Sequence, residues 1–289
     1  MVDVEVEGRA AAERFRREHR LGVQPLGDLV TIIEHTTGID VAVLDAGPDE
    51  HGLTMRDPDR DAVFIGVART RHPMRQRSTL AHELGHVLFG DWVAPGDVRT
   101  WSDQTPQELR CRAFARHLLV PLEGLRQFLE GHQETTLATL STVVQRFLVS
   151  PAIAVIALEQ AGYLDPATRQ DWDGIYTPQL AARFGWDDQY RALQADSDQR
   201  RAPQRLLARA IAGYVEGVLP AQAIATLRGV GLQEVERHLA EAGIVQVEQP
   251  DAWAGASELP PVEVDLAALD EDLGTSDSDR DRPRGGPSR

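Results

Sequence analysis

Ser78-Thr79-Leu80-Ala81-His82-Glu83-Leu84-Gly85-His86 is the stretch on which the reading of this chain turns. Residues four apart on a helix lie one turn above each other, so His82 and His86 present their imidazoles along one edge, with Glu83 beside them. This is the HExxH pattern: two nitrogen ligands for a zinc ion and a carboxylate placed to act as a base. Leu80, Leu84, Val87 and Leu88 recur at helical spacing and Gly90-Asp91 offers a stop, so the pattern sits on a predicted helix. Two surface histidines on an ordinary core helix would read the same way, and the decision passes to the rest of the chain.

A catalytic zinc takes three protein ligands and keeps its fourth position for water. Glu108 is the best candidate for the third, near the start of the next strong helix, Gln107 to Val120. The helix face that carries it also carries Cys111, Ala115, Leu118 and Leu119, and a carboxylate on such a face is costly unless something pairs with it. An acidic residue in a first helical turn is also favoured by the helix dipole, so a plain structural role competes. Glu123, Asp91 and Asp103 are rival ligands. His117 lies about 180° around the cylinder from Glu108 and reads as structural or surface. His35, His51, His132 and His238 have no spacing partners. His72 and Arg75, just before the motif helix, are within reach of a site opening as oxyanion stabilisers, or are solvated loop residues.

The chain has 289 residues, 42% of them hydrophobic, enough for a proper core in one large or two modest domains. No apolar run approaches the roughly 20 residues needed to cross a bilayer, and Met1 to Gly8 is acidic rather than a basic lead into an apolar stretch. The single cysteine, Cys111, excludes an intrachain disulfide framework and fits a reducing compartment. The expectation is a cytoplasmic protein with no membrane partner. A formal charge of −15 argues against direct DNA binding, which draws on clustered basic residues. All thirty basic residues are Arg, with no Lys and no Asn, the codon bias of a GC-rich genome.

Helices are predicted at Arg9 to Arg20 and Leu26 to His35, then strands at Asp40 to Leu44 and Ala62 to Val67, with Gly and Pro punctuating the stretch between. Further helices are expected over Leu122 to Leu129, Leu137 to Val149, Pro151 to Gly162, Arg205 to Val218, Pro220 to Leu227 and Gln233 to Ala242. Asp165 to Pro203 reads as polar and broken, with one helix at Pro178 to Phe184. The fold class is α+β: a small sheet packed on the HExxH helix, followed by an all-helical C-terminal region and a disordered acidic tail. The expected domains are 1–130 for the metal-binding module, 131–248 for a helical domain with helix-turn-helix-like pairs, and 249–289 for the tail.

Arg77-Ser-Thr-Leu-Ala-His82-Glu83-Leu-Gly-His86 resembles the RxxxAHExGH core of the ImmA/IrrE family of metallopeptidases, and Glu108 through Pro121 resembles that family's ExxAN-x-FAxxLLMP signature. The likeness covers about residues 10 to 165. It implies a gluzincin-like minimal metallopeptidase with His82, His86 and Glu108 as Zn2+ ligands and Glu83 as general base. It also implies an endopeptidase of narrow specificity, whose protein substrate is a helix-turn-helix repressor cut to relieve repression under stress or phage induction. Arg112 departs from the pattern: the family carries Asn or Asp there, able to orient a ligand His, whereas a cation can pair with Glu108 and compete with the metal.

The rival reading is a DNA-binding or partner-binding regulator with an inactive or metal-free protease domain. Thr142 to Gly162 and Ala221 to Gly243 each read helix, turn, helix. The second helix of the first pair is nearly all apolar, and that of the second carries Glu234, Glu236 and Glu241, which suits packing or docking better than base readout. Oligomeric state is not legible.

Overall fold

A computed structural model describes residues 3–47, 52–92, 104–132 and 134–247. Helix α1 (Val4–Glu18) starts from Asp3, whose side chain accepts a bond from Glu5 N at 2.9 Å. Glu5 and Glu7 in its first turn and Arg16 and Arg17 in its last complement the helix dipole, so the helix begins ahead of its predicted start at Arg9. Helix α2 (Leu29–Thr37) is opened in the same way by Asp28.

Strands β1 (Asp40–Leu44), β2 (Gly52–Asp57) and β3 (Ala62–Ala68) form a sheet of order β1-β3-β2, with β3 parallel to β1 and antiparallel to β2. Val41 and Val43 sit opposite Ile65 and Val67, and all four are buried on one face. The outermost strand, β2, is not among the predicted elements. Gly52-Leu-Thr-Met-Arg-Asp57 has one β-branched residue and is exposed at four of six positions, so pairing with β3 rather than local propensity makes it a strand.

Helix α3 (Pro73–Phe89) carries the HExxH pattern and packs on β2 and β3. Its position is fixed by Arg77, whose guanidinium donates to Leu148 O at 3.2 Å, Gly27 O at 2.6 Å and Leu26 O at 2.7 Å. Burial pulls the Arg77 pKa down to about 10, which leaves it charged at neutral pH. Helix α4 (Pro106–Leu119) runs against both α1 and α3, and α5 (Leu122–Phe128), α6 (Leu137–Phe147) and α7 (Pro151–Gln160) complete the layer behind it. Phe114, Leu118, Leu140, Val144, Phe147 and Leu158 are fully buried there.

The stretch expected to be broken holds the predicted helix as α9 (Thr177–Phe184) and two that were not predicted, α8 (Pro166–Asp171) and α10 (Asp187–Ser197). Tertiary partners outweigh the polar composition: Trp186 and Tyr190 are buried in the main core, and Trp186 Nε1 donates to Ser141 Oγ at 2.9 Å. That core runs from Ala11 to Tyr190. Helices α11 (Gln204–Val215), α12 (Ala221–Arg228) and α13 (Leu232–Glu241) enclose a second, smaller cluster around Ile224, Val235 and Leu239. Arg201, ahead of α11, pairs its backbone with Val43 on the free side of β1, at 2.9 and 3.0 Å.

Among the described residues no single helix is long and apolar enough to cross a membrane, and the apolar pair α6 and α7 is bent by 108° at its break. The tail expected to be disordered, 249–289, lies outside the described residues.

Candidate metal centre

Three side chains from two helices converge on one buried point. His82 Nε2 lies 3.0 Å from His86 Nε2 and 3.0 Å from Glu108 Oε2, and His86 Nε2 lies 3.2 Å from Glu108 Oε1. His82 and Glu108 are each 2% exposed and His86 8%. The i, i+4 spacing on α3 stacks the two imidazoles, and the T-shaped ring arrangement turns both Nε2 atoms inward. Glu108 comes from the first turn of α4, which Thr105 fixes by accepting from Glu108 N at 3.3 Å. The helices approach closely because residue 85 has no side chain: a Cβ there would stand 3.2 Å from Phe114 Cδ1 and 3.3 Å from Cys111 Cβ.

The donor set fits a divalent ion. Zinc bound to nitrogen and oxygen at about 2.0–2.1 Å in a tetrahedron puts neighbouring ligand atoms about 3.3 Å apart, close to the edges of this triangle. Lone pairs facing each other at such distances in a dry site repel unless a cation or protons lie between them. The electrostatics carry the same message. Burial opposes ionisation of Glu108, yet the hydrogen bonds from His82 and His86 prevail and hold its pKa far below the ordinary range. Burial also opposes charging His86, and the carboxylates of Glu108, Glu83 and Asp91 together raise its pKa above the ordinary value.

Glu83, 8% exposed, faces the sheet. Its Oε2 accepts from Thr54 Oγ1 at 2.7 Å, so the outer strand sets the carboxylate's orientation. On the far side of the triad, His86 Nδ1 meets Cys111 Sγ at 3.4 Å and Asp91 Oδ2 at 3.5 Å. Burial, with the Asp91 and Glu108 carboxylates, pushes the Cys111 thiol well above its usual pKa and keeps it protonated.

The other residues raised from the sequence fall elsewhere. Asp91 stands behind His86 rather than in the triad, and Glu123 is exposed and bonded to Gln127. Asp103 and His51 lie outside the described residues. His72 is the residue before α3 and Arg75 lies in that helix's first turn, both exposed. Arg112 lies one turn beyond Glu108 on α4, half-buried, while both Glu108 oxygens face the imidazoles. His117 is buried and paired with Glu5 through Nε2 at 2.7 Å, a structural contact between α4 and α1. Thr54 escaped the sequence reading because its strand did. Arg110, which binds Asp91 Oδ1 at 2.7 Å, has no local signature.

Residues 36–159 match the family model described as the IrrE N-terminal-like domain, Peptidase M78. The chain is also 28% identical over 141 residues to the radiation response metalloprotease IrrE of Deinococcus radiodurans, a match covering 47% of this chain and 41% of that protein. The matched segment contains the two helices that supply His82, Glu83, His86 and Glu108. Residues 36–159, under half of the chain, thus carry a likeness to the ImmA/IrrE family of metallopeptidases.

Proposed function

We propose that this protein is a zinc-dependent endopeptidase of narrow specificity, with a helix-turn-helix transcriptional repressor as its substrate. The observation that carries the hydrolase reading is the buried triangle of His82, His86 and Glu108 with Glu83 at its edge. Zinc held by the three side chains supplies the Lewis acidity that peptide hydrolysis needs. Glu83 takes a proton from the attacking water as oxygen bonds to the scissile carbonyl carbon, then delivers it to the leaving nitrogen as the C–N bond breaks. Thr54 keeps the carboxylate aimed during both transfers. Among the described residues nothing pairs with the other side of β2, which leaves a ladder edge beside Glu83 for an extended peptide, and recognition of a strand by its backbone leaves selectivity to side chains and to surfaces away from the cut.

The likeness to this family, and the radiation response in the relative's name, support a stress-linked regulator as the target class. Incubation of the purified chain and its Glu83→Gln variant with candidate repressors tests this. Cleavage by wild type at one bond, lost in Glu83→Gln with metal still bound, is the expected result. Equal behaviour of the two proteins counts against the proposal.

A further inference from the structure

Helix α3 ends in a turn that returns the chain to its own metal-binding face. Gly90 adopts φ 69°, a left-handed conformation that glycine takes at no steric cost, and its N–H bonds Val87 O at 3.1 Å while Asp91 N bonds His86 O at 3.0 Å. This paired closure reverses the backbone and delivers the Asp91 side chain beneath the imidazole of His86, 3.5 Å from Nδ1. The carboxylate is then locked from the other side. Its Oδ1 accepts from Arg110 at 2.7 Å, and Arg110 reaches Glu7 Oε1 on α1 at 2.7 Å and lies over the Phe89 ring at 4.2 Å. Asp91 is 9% exposed at its side chain, so its charge acts on its neighbours with little solvent between them.

We propose that Asp91, anchored by Arg110, is a positioning residue for the metal centre: it holds the proton of His86 on Nδ1 and leaves the Nε2 lone pair for the ion. The chemistry of Nδ1 supports this. Its neighbours are a carboxylate oxygen and the Cys111 sulfur, whose hydrogen has Asp91 Oδ2 as an acceptor at 3.7 Å. With the thiol hydrogen on Asp91, both neighbours of Nδ1 act as acceptors and Nδ1 donates, the tautomer that binds metal through Nε2.

The inference rests on the metal-centre reading, and the test separates the two. The full chain is stripped of metal, and its affinity for Zn2+ is measured by chelator competition, with the visible absorption of bound Co2+ as a second readout. Asp91→Asn is the informative variant. Its one remaining oxygen is claimed by Arg110, which turns the amide N–H2 toward His86 Nδ1 and favours the tautomer with the proton on Nε2. Affinity should fall about 10- to 100-fold and the Co2+ spectrum should change, with a smaller fall in Asp91→Ala, where the ring is freed rather than inverted. Glu13→Gln breaks the exposed ion pair with Arg9 on the same helix α1, outside the Arg110 anchor, and should leave affinity and spectrum as in wild type. Wild-type values in both Asp91 variants overturn the inference alone, as does an equal loss in Glu13→Gln, which marks a general structural effect. Failure of wild type to take up either ion overturns the metal-centre reading and this inference together.

Discussion

Thr54 Oγ1 donates to Glu83 Oε2 at 2.7 Å, and this bond ties the outermost strand of the sheet to the residue proposed as the base. Thr54→Val keeps the shape of the side chain and removes the donor. A hydrogen bond to a charged group is worth about 1.5–3 kcal/mol, so the variant should lose about 10- to 100-fold in kcat through a misaimed carboxylate. Zinc affinity should not change, because Thr54 touches no metal-binding atom. Steady-state hydrolysis beside a metal titration checks both halves.

Gly52 offers a second probe of the same contact. A Cβ at this position would lie 2.5 Å from Thr79 Cγ2 and 2.9 Å from Glu83 Oε1, too close for either to remain in place. Gly52→Ala should cost about 1–3 kcal/mol of stability from overpacking and should lower hydrolysis by more than that loss explains. Urea denaturation gives the first quantity, and hydrolysis measured where the variant is fully folded gives the second.

The metal triad should make stability depend on zinc and on pH together. The depressed pKa of Glu108 contributes stability that is present above its unfolded value of 4.5 and is lost as pH falls below it. The raised pKa of His86 contributes stability that is present below its unfolded value of 6.5 and is lost as pH rises through the folded value. Metal-free protein therefore draws most from the triad between these two pH values, where the imidazole proton stands in for the cation. Zinc must displace that proton, so the stabilisation it gives should grow from pH 6 to pH 8. At a free zinc concentration 100 times Kd the gain is about 2.7 kcal/mol, and Glu108→Gln should abolish most of it. Thermal melts across pH, with and without zinc, measure this directly.

What was legible in the sequence follows from where each signal is stored. His82, Glu83 and His86 are fixed by one helical turn, so local spacing alone displays them. Glu108 is readable because a carboxylate stands on an otherwise apolar helix face. Thr54 is set by its pairing opposite Ile65 on β3, and nothing in the six residues of β2 announces that pairing. Arg110 and Asp91 meet across a 19-residue separation, and their bond exists only once α3 and α4 have docked. Helix α10 belongs to the same class, since Trp186 at its N-cap finds its partner Ser141 at a separation of 45 residues.

The attachment of α1 should be the acid-labile part of the domain. Glu5 accepts from His117 Nε2 and Gln160 Nε2, each at 2.7 Å, and forms a short ion pair with Arg116, so one carboxylate ties α1 to α4 and α7. The His117 bond is the largest cause that lowers the Glu5 pKa to about 2, against the burial that opposes it. The sign is that of a depressed carboxylate: its contribution is complete above an unfolded value of 4.5 and fades as pH falls toward about 2. Glu5 is 35% exposed, so solvent screens the pair, and Glu5→Gln should cost on the order of 1 kcal/mol at neutral pH. Hydrogen exchange should show the amides of α1 opening before those of α3 as pH drops from 5 to 3, and Glu5→Gln should show that opening already at pH 7. Because α1 packs on the same α4 that carries Glu108, loosening it should also weaken zinc binding in acid beyond what protonation of the ligands explains. A variant that kept α1 protected down to pH 3 would assign the hold of this helix to its apolar contacts around Phe15 instead.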